Sequence, residues 1–204
     1  MTSSSFDQRA QDWDKQPYRH ERAKAVALQL QAQIAIRPGM TALEFGCGTG
    51  LLGFNLIPYF GFVTFADLSE QMLAQVQVKL QEQQIRNADT CLIDIATEIL
   101  PKSYDCIVSL MTLHHIQEYK ATIALLVAHL APGGFLCIAD LDKDDGSFHG
   151  SEETAHHGID RVYLRQIFEQ NGLTRIEDST PYVMKMDRGS GVREYPVFLL
   201  TGKK

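Results

Sequence analysis

Leu43-Glu44-Phe45-Gly46-Cys47-Gly48-Thr49-Gly50 decides the fold of this 204-residue chain. Three glycines at alternate positions follow the short apolar run Thr41 to Phe45, and an apolar helical pattern opens at Leu51. The reading is strand, glycine turn, helix. Glycine takes positive φ without steric penalty and lets a bulky group approach the backbone, so this turn is the first candidate for a ligand seat.

Upstream, Val26, Leu30 and Ile34 recur at i+4 and predict a helix over Glu21 to Ile34, stopped by Arg37-Pro38-Gly39. Downstream, a helix runs from Leu51 to about Tyr59, interrupted by Pro58, and Phe62 to Ala66 is a second strand ended by Asp67. Ser69 can cap the helix carrying Met72, Leu73, Val76 and Leu80 on one face, with Glu70 complementing its dipole. The glutamines of that helix form its solvated side. Strands follow at Thr90 to Ile93 and Cys106 to Leu110, then a helix at Ala121 to Leu130 stopped by Pro132-Gly133-Gly134, and a fifth strand at Phe135 to Ala139. A polar connection from Asp140 to Gly158 leads to a helix capped by Asp160 and ended at Gly172. Thr174 to Met186 and Glu194 to Leu200 close the chain as an antiparallel hairpin around Asp187 to Gly191. Together these elements predict an α/β fold, one Rossmann-like doubly wound sheet that is mostly parallel with a C-terminal antiparallel hairpin strand. The predicted division is a leader over residues 1–20 and a domain over residues 21–204. Ligands of such sheets bind at the carboxyl ends of the strands, where every motif below falls.

Composition narrows the functions. A net charge of -6 without a Lys/Arg stripe argues against a nucleic-acid partner, and no apolar stretch reaches membrane-spanning length, which predicts a cytoplasmic protein without membrane insertion. Cys47, Cys91, Cys106 and Cys137 form no Cys-x-x-Cys pair and read as small buried residues in a reducing compartment. Oligomeric state is not specified at this level.

Gly48, Gly50 and Gly53 also satisfy G-x-G-x-x-G, with Asp67 near the place of a ribose-binding acid, so the glycines alone leave a nicotinamide cofactor open. Glu44 separates the two readings. An acid just before the glycines is poorly placed beside a pyrophosphate and well placed beside a sulfonium or amino group. Glu44-x-Gly46-x-Gly48-x-Gly50 resembles motif I of the class I S-adenosylmethionine-dependent methyltransferases, and Tyr104 to Ser109 followed by Leu113-His114-His115-Ile116 resembles motif IV of their small-molecule branch, the group that includes ubiquinone-biosynthesis methyltransferases. Leu130 to Gly134 resembles that family's turn before strand five.

The resemblance implies S-adenosyl-L-methionine as cofactor and a small-molecule methyl acceptor. It places Glu44, Gly46, Cys47, Gly48 and Gly50 on the cofactor, Asp67 with Leu68 at its ribose, Asp94 with Ile95 at its adenine, and Met111 beside it. A non-catalytic S-adenosylmethionine binder would show the same cradle, and a nicotinamide oxidoreductase is the remaining alternative.

Methyl transfer from a sulfonium is an in-line displacement in which alignment supplies much of the rate, and a base is needed when the acceptor must lose a proton. His114, His115, His149, His156 and His157 lie in the motif IV loop or in the connection after strand five, and His114 and His149 are the candidate bases. Asp140-x-Asp142-x-Asp144 begins like a calcium loop, but Asp145 stands where that loop requires glycine. The histidines with Asp140, Asp142, Asp144, Asp145, Glu152 and Glu153 leave a transition metal open by spacing, and no metal ligand is assigned. The leader, Phe6-Asp7-x-x-Ala10-x-x-Trp13-Asp14, resembles that family's amphipathic lid, which would set Trp13 over the cofactor or acceptor.

Overall fold

The computed structural model describes residues 6–94, 102–150, 154–187 and 191–204. After a short 3-10 helix at Ala10–Lys15, the elements are α1 (Pro17–Gln33), β1 (Thr41–Phe45), α2 (Leu51–Leu56), β2 (Phe62–Asp67), α3 (Glu70–Glu82), β3 (Ala88–Leu92), β4 (Tyr104–Leu110), α4 (Tyr119–Ala128), β5 (Leu130–Leu141), α5 (Arg161–Gln170), β6 (Thr174–Asp187) and β7 (Val192–Lys203). The seven strands run in the order β3-β2-β1-β4-β5-β7-β6. β1 to β5 are mutually parallel, and β7 is antiparallel to both β5 and β6.

The chain builds outward from β1 to β2 and β3, then returns to place β4 on the other side of β1. A crevice therefore opens between the carboxyl ends of β1 and β4, where the helices diverge to opposite faces. β4 and the end of β5 are buried on both sides, which is why they read as continuous apolar runs. One apolar layer joins Val26, Leu30, Leu52, Leu56 and Val76 to one face of the sheet, and the other joins Ile123, Leu126, Leu164, Ile167 and Phe168 to the opposite face.

Four boundaries differ from expectation for identifiable reasons. α1 begins at Pro17, within the expected leader rather than at Glu21, because proline's fixed φ suits the first helical position and its missing N–H is an orphan there anyway. α2 is only two turns long, and Pro58 closes it through a 3-10 turn over Ile57–Tyr59. α4 stops at Ala128 rather than Leu130, since the His129 carbonyl already accepts the Tyr104 N–H of the sheet. β5 consequently starts at Leu130 instead of Phe135 and carries Pro132-Gly133-Gly134 within a bulge, where the pairing steps from Tyr104↔Leu130 to Cys106↔Phe135. The hairpin strands are also longer than predicted, and the turn residues 188–190 lie outside the described residues.

Candidate active site

The glycine turn folds back on the sheet through the Cys47 N–H donated to Ala66 O (3.0 Å), and Gly46, Gly48 and Gly50 all take positive φ, at 62°, 52° and 81°. Their reasons for being glycine differ. A Cβ at Gly46 would lie 2.2 Å from Thr112 Cγ2, and the Thr112 hydroxyl donates to Gly46 O at 3.0 Å, so the turn is clamped onto the loop after β4. A Cβ at Gly50 would stand 2.8 Å from Phe65, and one at Gly53 would stand 2.4 Å from Phe65 and 2.6 Å from Glu44 Oε2. Gly50 and Gly53 are thus packing glycines, while Gly46 packs on Thr112 and still lines the cavity. Only Gly48 faces open space, with Trp13 Nε1 at 3.9 Å as the nearest atom.

Two carboxyls brace this turn. Glu44, from β1, is 2% exposed and accepts the Gly53 N–H at the start of α2 (2.9 Å). Burial pushes its pKa up to about 8, and the charge of Asp67 adds to the rise against the opposing Gly53 bond. Asp67, at the end of β2, accepts the Gly48 N–H (2.7 Å) on one oxygen and the Ser69 N–H (2.9 Å) on the other; burial raises its pKa as well.

Glu44, Gly46, Cys47, Gly48, Asp67, Leu68, Asp94 and Met111 all line one cavity, whereas the expected Ile95 lies outside the described residues. Gly50 is behind the turn rather than on the cavity wall. Burial drives the Cys47 thiol well above its ordinary range, so it is inert at neutral pH. Met111 takes φ 57° while its N–H donates to Ala139 O (2.9 Å), a strained conformation at the junction of the site.

The leader is latched across this cavity. Asp7 accepts the Ser69 hydroxyl at 2.5 Å, and Asp14 accepts the Thr49 hydroxyl at 2.6 Å while pairing with Lys79, which itself donates to Thr49 O at 2.8 Å. Arg19 donates to Trp13 O (2.7 Å) and stacks 3.7 Å over the Trp13 ring. Asp14→Ala removes a charge-assisted bond and an ion pair whose partners are roughly three-quarters buried. Release of a ligand bound in this cavity, followed by stopped flow, is expected to quicken about 5- to 30-fold, in line with the roughly 1–2 kcal/mol such bonds contribute. Unchanged release would remove the latch.

A second cavity adjoins the first and shares Phe6, Trp13, Arg19, Arg22, Met111 and His115 with it; its further wall includes Tyr18, His114, Phe148, His149 and Met186. His114 is 1% exposed, with Nδ1 2.5 Å from Asp140 Oδ1, and its Nε2 has no hydrogen-bond partner among the described residues. His115 packs 4.0 Å from His114 between ring centroids, and burial, with the neighbouring His114 and His149 charges, holds its pKa down to about 3. It stays neutral. His156 instead bridges the carbonyls of Ile116 and Gln117, and His157 packs on Gly146, so these two loop histidines brace the connection.

Three features of the site escaped the sequence. Arg22 is 7% exposed, donates to Met184 Sδ (3.3 Å), and leaves Nε unpartnered among the described residues; desolvation brings its pKa down to about 10. The available signal was its place one turn before Val26 on the apolar stripe of α1, where a cation is out of keeping. Asp140 read as a loop acid but belongs to β5. Met184 and Met186 come from a hairpin that pattern reading treats only as sheet.

Residues 43–136 match the model of a methyltransferase domain. An uncharacterised methyltransferase of Schizosaccharomyces pombe is 30% identical over 138 residues, 60% of this chain and 49% of that protein. A ubiquinone biosynthesis O-methyltransferase of Xanthomonas campestris is 29% identical over 126 residues, 57% of this chain and 49% of the relative. The chain thus spans about half the length of the curated relatives it matches. In fold it is similar to a chain of the Haloferax volcanii complex between the Trm112 methyltransferase activator and a putative methyltransferase (TM-score 0.76, 18% identity, covering 97% of this chain and 96% of that one). It is also similar to magnesium protoporphyrin IX methyltransferase of Synechocystis with bound S-adenosylhomocysteine (TM-score 0.68, 22% identity, 91% and 83%).

Proposed function

We propose that this chain, a member of the class I S-adenosylmethionine-dependent methyltransferases, transfers the cofactor's methyl group to a small-molecule acceptor held in the second cavity. The observation that carries the reading is the contiguity of two differently built cavities. One is walled by the glycine turn and the residues Glu44, Asp67 and Asp94, the other by the rings of Tyr18 and Phe148 with His114 and His149, and both meet at Trp13, Arg22, Met111 and His115.

The residues suit the cofactor's polar groups. Asp67 would take the ribose hydroxyls with the acceptor capacity left over from two backbone N–H groups, Asp94 the adenine amino group, and Glu44 the ammonium. Arg22 would take the carboxylate, which gives its desolvated guanidinium the counter-ion it lacks in the described residues. Gly48 leaves the backbone open to close approach. When bound, S-adenosylmethionine supplies a methyl group on a positively charged sulfur, already activated for displacement. The leader residues Phe6 and Trp13 would exclude water above it, and His114 and His149, both on the wall of the second cavity, would be the candidate bases toward the acceptor. No helix in the described residues is long and apolar enough to cross a membrane.

The test is a thermal shift followed by turnover. S-adenosylhomocysteine at about 100 times its dissociation constant should stabilise the protein by roughly 2.7 kcal/mol, about 5–10 °C in Tm for a domain of this size, whereas NAD should do nothing. A panel of thiol, phenol, amine and quinone-type compounds is then screened for S-adenosylhomocysteine release. Stabilisation by NAD alone would replace this reading by the oxidoreductase; tight S-adenosylhomocysteine binding with no turnover of any class would replace it by a non-catalytic binder.

A further inference from the structure

α1 opens at Pro17 with no acid in its first turn, and Arg19 and Arg22 stand three residues apart on it, so their guanidinium groups share one helix face. Both line the first cavity and the second, at the junction between them. Like charges one turn apart repel, and the positive end of the helix dipole adds to the cost. Glu21, between them in sequence, accepts the Tyr182 hydroxyl instead of relieving either one. Burial chiefly, with the neighbouring Arg19 charge, brings the Arg22 pKa down to about 10.

Other arginines of the chain have counter-ions. Arg161, Arg165 and Arg193 pair with Asp142, Asp178 and Asp145. Neither Arg19 nor Arg22 pairs with a carboxylate among the described residues. Arg22, though buried, hydrogen-bonds only to Met184 Sδ through Nη1 (3.3 Å) and leaves Nε bare. Arg19 gives Nη1 to Trp13 O (2.7 Å) and its face to the Trp13 ring. Packing the leader accounts for that face and that nitrogen. It does not account for the edge formed by Nε and Nη2, which makes no hydrogen bond among the described residues and is the fork that a carboxylate meets with two parallel bonds.

The two cavities also differ in the sign of their walls. Glu44, Asp67 and Asp94 line the first, whereas the second has Arg9, Arg19 and Arg22 and no Asp or Glu among the described residues. This is out of keeping with a chain of 25 acidic against 19 basic residues. The cofactor would bring one carboxylate, matched above to Arg22, and its sulfonium would add positive charge at the junction. A second anion is still wanting.

We propose that the methyl acceptor is an organic acid whose carboxylate is gripped by the free edge of Arg19, while Arg22 holds the carboxylate of the cofactor; this rests on the reading that the second cavity holds the acceptor. Arg9 adds positive charge to the same wall, and the apolar body of the acid lies against Met111, Phe148 and Met186. Such a field draws anions in and turns protonated amines away. The carboxylate is a handle rather than the methylated group, because a guanidinium that holds both of its oxygens engages the lone pairs that would attack.

Matched end groups on one apolar body test this: 4-hydroxyphenylacetate, 4-hydroxyphenylacetamide and tyramine, with the same acid, amide and amine on an indole and on an octyl chain. Titrated calorimetrically into the full chain saturated with S-adenosylhomocysteine, each acid that binds should do so about 10- to 100-fold more tightly than its amide, and the amine more weakly than the amide. Arg19→Gln should bring the acid-to-amide ratio to within about threefold of unity. If Arg19 only packs the leader, acid and amide weaken together and the ratio holds. That result, a wild-type ratio near one, or no acid bound at all, would overturn the organic acid. Should Arg19→Gln not fold, Arg19→Lys carries the same test: an ammonium keeps the charge but loses the fork, so the ratio should fall about 3- to 10-fold, and an unchanged ratio removes Arg19 as the grip. Acids that bind only without S-adenosylhomocysteine occupy the cofactor's own carboxylate place and overturn the proposal, and a methyl ester as product overturns the carboxylate's role as handle. Methylation of neutral or amine acceptors with no preference for acids overturns the organic acid and leaves methyl transfer standing. Acids selected in the expected ratio, with no acceptor of any class methylated, bring down methyl transfer and leave the Arg19 grip.

Discussion

Glu44→Gln is expected to bind S-adenosylhomocysteine about 10- to 100-fold more weakly than wild type at pH 8 and to lose the wild type's pH dependence of binding. The magnitude follows from replacing a charge-assisted hydrogen bond, worth roughly 1.5–3 kcal/mol, by a neutral one. The pH dependence follows from burial. Unliganded Glu44 has a pKa of about 8, so near neutrality it is mostly protonated, and an incoming ammonium must draw it into its ionised form. Wild-type affinity therefore climbs as pH rises toward 8, and the glutamine variant, which cannot ionise, lacks that climb.

Stability runs the other way. The folded pKa lies above the unfolded one, so the contribution of this group is fully present below about pH 4.5 and is lost as pH rises through about 8, a decline of about 5 kcal/mol. Without ligand, Glu44→Gln should thus be the more stable protein at pH 9, and the two should converge toward pH 5. Urea denaturation at both pH values with calorimetry between pH 6 and 9 measures both effects; equal, pH-independent affinity in the two proteins would remove Glu44 from the cofactor seat. Glutamine is the informative substitution. Alanine, which the sequence alone suggests, would orphan the buried Gly53 N–H and confound binding with folding.

Gly46→Ala is expected to lower Tm by about 5–15 °C, whereas Gly48→Ala should lower it by only a few degrees yet weaken S-adenosylhomocysteine binding more than tenfold. Both positions take positive φ, which an L side chain tolerates at about 1–2 kcal/mol. The difference lies in the surroundings. An alanine methyl at position 46 meets Thr112 Cγ2, Oγ1 and Cβ at 2.2, 2.6 and 2.9 Å, so Thr112 must move and abandon its bond to Gly46 O, adding roughly 1–3 kcal/mol of overpacking. At position 48 the methyl enters open space between Trp13 and Met72, on the cavity side. Differential scanning calorimetry and ligand titration on both variants separate the two kinds of glycine. If Gly46→Ala kept its stability and lost the ligand, the cofactor would approach the turn at 46 instead.

Much of this protein was legible because its elements obey local rules. The apolar run of β4 declares a strand buried on two faces, Ser69 accepts the Met72 N–H as the cap its position predicts, and Asp160 accepts the N–H groups of Val162 and Tyr163 in the same way. The alternation of strand and helix then orders the parallel sheet and directs attention to the carboxyl ends of its strands. Where prediction slipped, longer-range pairing overrode the local signal, as in the Pro132-Gly133-Gly134 bulge that β5 carries because β4 and β7 hold it on either side.

The sequence by itself determined the glycine turn, the carboxyls that flank it and the class of cofactor they suit, since β1, the turn and α2 are contiguous and their chemistry is local. Tertiary structure alone decided which glycine is open and which are packed, because that depends on Thr112 and Phe65, 66 residues after Gly46 and 15 after Gly50. It also brought Arg22, His114 and Met186 around one cavity, with Asp140 bonded to His114. Their spacing in the chain carries no periodic signal, and their roles arise only when burial strips away water and leaves each charge or lone pair to be met by another part of the fold.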